Sequence, residues 1–288
     1  RHAGPRIVTG AARRLEPALL LAPGAVALIA AFLLPILQVL AYAFFKDGAL
    51  SWSALDFTAW RRMTDDDYHL FVGLRTLRIG LIVTAACLIL GYPLALVIDA
   101  ASARMKALLF LALLLPLMTS VVVRTFGWLV ILGRGGPIAR ALRDLGLVPN
   151  NFQLAYTETG IVIAMTQVLL PYMTLVLVGV IGQIDRRLVE AARTMGAGWL
   201  HALRHVVIPL SKPGIIAGSV LVFAITISSF ITPVLIGGLK LPVLAAGVFH
   251  SAIAYNDWPL AAAQATALFA IVALVLLPYA LTARGNAR

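Results

Sequence analysis

The chain has 288 residues, of which 61% are hydrophobic and only 12% charged, with a mean hydropathy of +0.96. No soluble domain of this length can hide that much apolar surface, so composition excludes a soluble enzyme and points to a polytopic membrane protein. The formal net charge of +11 then belongs to the loops between spans; no aromatic–basic motif accompanies it, which argues against a nucleic-acid partner.

Six apolar runs, charge-free but for Arg124, are long enough to cross a bilayer, for which roughly 20 residues are needed. They are Ala18–Phe45, Ile79–Ile98, Ala107–Val123 continued past Arg124 to Gly133, Thr159–Ile184, Pro213–Leu239 and Trp258–Ala283. Lipid offers the backbone no hydrogen-bond partner, so all six are expected to be helices and the fold to be all-α. Pro23, Pro35, Pro93, Pro116, Pro171, Pro233 and Pro278 fall inside these runs, where bundles tolerate them as kinks. The first run follows basic residues, as a signal peptide's would, but it is too long for one and lacks a cleavage site. It is expected to be an uncleaved anchor. The run Leu241–Phe249 is too short to span and is expected to be a re-entrant or surface helix on the outer side. The lone cysteine, Cys87, sits mid-span and is expected to serve packing.

Lys and Arg set the orientation. With the N-terminus inside, the inner segments carry thirteen basic residues and the outer ones nine, Arg124 being left within a span. The excess favours cytoplasmic termini and a cytoplasmic Asp185–Pro213 loop.

That loop is the longest charged, proline-punctuated segment of the chain. Leu188, Ala191, Ala192 and Met195 fall at i, i+3, i+4 and i+7, the stripe of a short amphipathic helix. Gly196 and Gly198 interrupt it, Trp199 to Val207 can form a second short helix, and Pro209 and Pro213 are expected to stop the pattern. An apolar stripe on a solvent-exposed loop needs a cover, and a partner protein is the simplest one. The spacing Glu190-Ala191-Ala192, three residues, Gly196, nine residues, Val206-x-Ile208-Pro209 resembles the EAA loop of ABC-importer permeases. Val206 and Ile208 stand where that motif has Ile and Leu.

Chemistry-bearing motifs are otherwise sparse. There is no P-loop, no H-E-x-x-H and no G-x-S-x-G, so neither nucleotide binding nor an intramembrane enzyme is indicated. His201 and His205 are four apart, but without a further ligand they are expected to be solvated or partner-facing, and no metal is expected. Arg124 is the one charge within a span. Its alternatives are a place on the pathway, snorkelling to the outer interface, or pairing with a loop acid. Thr226, Ser228, Ser229 and Thr232 in the fifth run can line a polar path or bond across helices, and Gly214-x-x-x-Gly218 is a close-packing pattern. Tyr255 to Trp258 read as an interfacial belt. A secondary, ion-coupled transporter would need internal repeats and usually an acid within a span, and neither is seen.

The resemblance extends over residues 18–283. The segments Ala86–Ala95, Arg124…Trp128…Gly133, Leu169–Tyr172, Pro209–Gly218 and Asp257–Pro259 look like the first permease subunit of the spermidine/putrescine ABC transporters, a subfamily that also imports opines and amino-acid derivatives. It implies a type I ABC-importer architecture: a cytoplasmic segment 1–17, a six-helix domain 18–283 with the coupling loop at 185–213, and a cytoplasmic tail 284–288, in a bacterial inner membrane. It further implies a second permease, completing a heterodimer, two cytoplasmic ATPases that hold ATP and Mg, a periplasmic solute-binding protein, and no cofactor in this chain. Glu190, Ala191, Ala192, Gly196 and Pro209 are the implied ATPase-coupling positions, and Arg124, Ser228, Ser229 and Thr232 are candidates for the translocation path.

Overall fold

The computed structural model describes residues 12–45, 55–196 and 198–285. The first eleven residues, the segment 46–54, residue 197 and the last three residues of the expected tail lie outside them. Among the described residues the regular elements are all helices, joined by turns and irregular segments, apart from one isolated bridge between Phe45 and Leu55. Six stretches are long and apolar enough to cross a membrane.

The bundle is built on α3 (Asp67–Ala100), α7 (Glu158–Ile181) and α10 (Ile208–Ser228), which pack mainly against one another. Small residues let their backbones approach. A Cβ added at Gly80 would stand 2.7 Å from Ile227 Cγ2, one at Gly214 2.8 Å from Val180 Cβ, and one at Gly218 2.7 Å from Met173 Sδ. The Gly214-x-x-x-Gly218 pattern is therefore a true helix contact, as membrane bundles use it. Cys87 is buried among these helices, and its thiol faces the Thr166 carbonyl. The long α1 (Ala12–Phe44) packs chiefly on α13 (Trp258–Gly285) and is otherwise exposed. It starts before residue 18, so the expected N-terminal segment is partly helix.

Four expectations are corrected. The third run is not one helix: α4 (Ala103–Leu114) tightens into a 3-10 turn at Leu115–Met118, the chain is extended at Thr119 and Ser120, and α5 (Val121–Leu132) resumes. Pro116, with no N–H and a ring against the preceding turn, accounts for the stop. The fifth run breaks likewise at Ser229, before α11 (Ile231–Gly237), because Pro233 would meet the carbonyl four residues earlier. Pro209 and Pro213, by contrast, stop nothing. A π turn at Leu203–Val207 widens the helix ahead of Pro209, which then sits in the first turn of α10, and Pro213 rides inside it. Finally, α3 starts well before Ile79 and brings Arg75 and Arg78 into the helix, so Arg124 is not the only charge that the spanning helices carry.

Short helices close one end of the bundle. They include α2 (Thr58–Asp65), α6 (Pro137–Asp144) and α12 (Leu244–Phe249), the last followed by a π turn to Ala254. The run Leu241–Phe249 is thus partly a helix, with Leu244 buried and its N–H donating to Thr76 Oγ1 on α3 at 2.9 Å. The opposite end carries the Asp185–Pro213 loop.

Candidate functional site

The loop folds into two short helices joined by a glycine turn. Asp185 caps α8 (Arg186–Thr194), its Oδ1 accepting from the Arg187 N–H at 2.9 Å. The helix ends where Gly196 takes φ +87°, a conformation open to glycine and strained for other residues, while its N–H donates to the Arg193 carbonyl at 3.0 Å. Gly198 then leads into α9 (Trp199–Ala202). The stripe predicted for α8 is present and uncovered: Leu188 and Ala191 are exposed, Met195 is 84% exposed, and beyond the turn Trp199 and Leu200 are 62% and 70% exposed.

Behind the two helices lies a cleft of about 580 Å³, bounded by the ends of α3 and α7. Glu190, Arg193 and Asp99 line it beside Pro93, Ile184 and Trp199. Among the described residues Glu190 has no hydrogen-bond or ion-pair partner, so its carboxylate is available to a second protein. The loop is tied to the bundle lower down. Tyr92 Oη on α3 meets Ser211 Oγ on α10 at 2.8 Å, and Ser211 is 0% exposed.

The candidate path residues gather at the two breaks. Arg124 lies in the first turn of α5, and its Nη2 donates to the Thr119 carbonyl in the break at 3.0 Å. Its Nε and Nη1 are buried without a partner. The guanidinium thus turns back along the chain to the break. Thr119 and Ser120 are exposed. Thr125 Oγ1 meets Thr232 Oγ1 at 3.1 Å and joins this break to the one in the fifth span, while Trp128 Nε1 donates to Gln167 Oε1 on α7 at 3.1 Å. Thr232 is buried in that contact, Ser229 bonds back to the Ile225 carbonyl, and Ser228 faces an apolar groove shared with Phe230 and Phe249. Of the four path candidates, Arg124 alone has buried polar atoms left without a partner.

Sequence reasoning missed a charged cluster at the other end. Arg75, only 8% exposed, places Nε 3.1 Å from Glu158 Oε1, off line for a hydrogen bond, and Arg78 pairs with the other carboxylate oxygen. Arg75 also reaches the Pro242 carbonyl and lies over the Phe71 ring. Nearby, Arg62 grips Asp257 through both carboxylate oxygens at 2.7 and 3.2 Å. Burial pushes the Asp257 carboxyl up, but the Arg62 hydrogen bond, the Leu260 N–H and the Arg62 charge outweigh it and hold it below its ordinary value. The same hydrogen bond raises Arg62. Long-range ion pairs of this kind carry no periodicity, so only the fold brings them together. Among the described residues no group of three or more His, Cys, Asp or Glu is arranged to hold a metal ion.

The described residues thus give a polytopic membrane protein with six apolar stretches long enough to cross and a helix–turn–helix loop whose apolar stripe is uncovered. The chain belongs to the family of binding-protein-dependent transport system inner membrane components, whose pattern matches residues 17–285. It is 32% identical to the spermidine/putrescine transport system permease protein PotB of Escherichia coli K12, over 85% of this chain and 90% of that one. It is 31% identical to the inner membrane ABC transporter permease protein YdcU of the same strain, over 70% and 68% of the two chains. Among solved structures, a bacterial alginate ABC transporter in complex with an alginate-bound periplasmic protein superposes with a TM-score of 0.77 at 14% identity, covering 96% of each chain. An inward-facing MetNI methionine transporter gives 0.56 at 13% identity, over 77% of this chain and all of the other. The chain is therefore a multi-pass inner-membrane permease subunit of an ABC importer, with the type I importer fold. Nothing in these relationships supports an ion-coupled carrier.

Proposed function

We propose that this subunit forms half of a translocation path for a small polar solute and is driven through the Asp185–Pro213 loop by a cytoplasmic ATPase. The uncovered apolar stripe of α8 carries this reading: Leu188, Ala191 and Met195 face solvent on a loop whose glycine turn holds a second short helix beside them. Glu190, Ala191, Ala192 and Gly196 form the contact, with Pro209 starting the helix that transmits the movement. Two ATPase subunits hold ATP and Mg and perform the hydrolysis; this chain needs no cofactor of its own. A second, different permease completes the path, and a periplasmic solute-binding protein delivers the cargo. Both termini and the loop are cytoplasmic, by the Lys and Arg count. Movement of the two ATPases tips the permeases between inward- and outward-facing states.

The path runs along the break in the third span. Extended backbone at membrane depth is tolerated only against protein or a water-filled cavity. Thr119 and Ser120 are exposed in this chain, so the second permease or the path itself covers them, and Arg124 stands beside them. The cargo class follows the relatives: a polyamine such as spermidine or putrescine, or an opine or amino-acid-like compound. The test is co-purification of the ATPase with the permease pair and solute-stimulated hydrolysis in vesicles. Leu188→Asp should release the ATPase and Glu190→Ala should weaken stimulation more gently, by removing one carboxylate from the contact. Full retention and stimulation in both variants would rule the loop out as the coupling element.

A further inference from the structure

We infer that His201 and His205 form a transition-metal site on the face of the coupling loop, suited to a borderline ion such as Zn2+. The two imidazoles lie on one face of the α9 to π-turn segment, with ring centroids 4.0 Å apart and planes inclined by 25°. Their spacing of four residues puts both rings on the same side of the helix. His205 Nδ1 lies 3.0 Å from the His201 carbonyl. A carbonyl can only accept, so Nδ1 carries the proton and the lone pair is left on Nε2. That arrangement, one ring nitrogen donating to a backbone carbonyl and the other free, is how metal-ligating histidines are oriented. Among the described residues His201 has no partner on either ring nitrogen, and both side chains are exposed. With His205 held by its carbonyl contact, rotation of the His201 ring, which no hydrogen bond holds, converts stacked rings into converging ones, since the terminal torsion of histidine is broad.

The surroundings favour entry. The rings open onto a shallow cleft of about 490 Å³ that they share with Ala192, Met195, Gly196 and Gly198. Two imidazoles satisfy half of a tetrahedral Zn2+ shell and leave two positions for water or for a group on a docked protein. The cleft borders the α8 stripe and includes two of the coupling positions, Ala192 and Gly196. An ion seated there therefore meets the same face that is proposed to receive the ATPase. The metal site itself does not depend on that proposal; only its effect on hydrolysis does.

The experiment is equilibrium Zn2+ binding to the purified importer, in competition with a chromogenic chelator. It compares the unmodified chain, His201→Ala, His205→Ala and the double variant. One Zn2+ per copy of this chain should be lost in the double variant and weakened in each single one. His250→Ala, at the far end of the bundle, should retain it. Equal Zn2+ content in the unmodified chain and the double variant overturns the site. A separate measurement follows solute-stimulated hydrolysis with Zn2+ on the cytoplasmic side. Inhibition that EDTA reverses, and that the double variant escapes, is expected. Equal inhibition of both proteins overturns the link to coupling while the binding result stands on its own.

Discussion

Replacing Gly196 tests the coupling loop by backbone geometry alone. A Cβ added there would meet nothing within 4 Å, so no side-chain clash accompanies the change. The whole effect must come from φ, which stands at +87°. Holding a non-glycine residue in that region costs on the order of 1–3 kcal/mol, and a β-branched residue falls at the upper end. One or two kcal/mol corresponds to about a 5–30-fold change in the population of the native turn. If the turn yields, Trp199 leaves the cleft it shares with Glu190 and Arg193, and the contact face is no longer one surface. Gly196→Asn, which tolerates left-handed backbone, should therefore be mild, Gly196→Ala intermediate and Gly196→Val severe. The assay is ATPase retention and solute-stimulated hydrolysis in vesicles, with solute binding by the periplasmic protein as an unaffected control. Equal behaviour of the asparagine and valine variants would refute the backbone argument, because only a steric or chemical role treats them alike.

Three further outcomes follow from other parts of the bundle. Arg124→Ala should lower transport by about tenfold or more, through loss of a buried charged donor at the break, while leaving the ATPase bound; unchanged transport at limiting solute would remove Arg124 from the path. For topology, Thr194→Cys should resist an impermeant thiol reagent in intact cells and Asp144→Cys should react, and the reverse pattern would invert the orientation; Ser211, with no exposed surface, cannot report on either side. The Asp257 carboxyl is held below its ordinary value, so its contribution is complete above the unfolded value of roughly 3.9 and fades as pH falls through the folded one. Arg62 is about half exposed, so solvent screening keeps that contribution under about 1 kcal/mol. The melting temperature of the unmodified protein should exceed that of Asp257→Asn at pH 7, with the gap starting to close only as pH falls below roughly 3.9 and vanishing once pH is below the folded value; a gap that stays constant as pH falls would disprove the ion-pair account.

What the sequence disclosed, and what it withheld, divides by the range of the interaction. Apolar length, the Leu188–Met195 stripe and the turn at Gly196 are local, and each reads directly from spacing. The breaks at Thr119 and Ser229 were half legible: Pro116 and Pro233 mark them, but proline in a membrane helix permits a kink, a break or nothing. Pro213 shows the last of these, riding inside α10. Which outcome follows depends on whether neighbouring helices satisfy the freed backbone, and that is a property of the assembled bundle. The Arg75–Glu158–Arg78 cluster was illegible for a related reason. Its members looked like loop charges because α3 begins before the apolar run does, and their pairing joins two helices that meet only after folding. The same limit applies to Arg124. Its position within an apolar run was plain, but the direction of its guanidinium, back to the Thr119 carbonyl, exists only once the third span has broken. Arg124 meets two conditions together: a charge that the sequence places in an apolar run, and a backbone break, made by the fold, that leaves that charge polar work still to do.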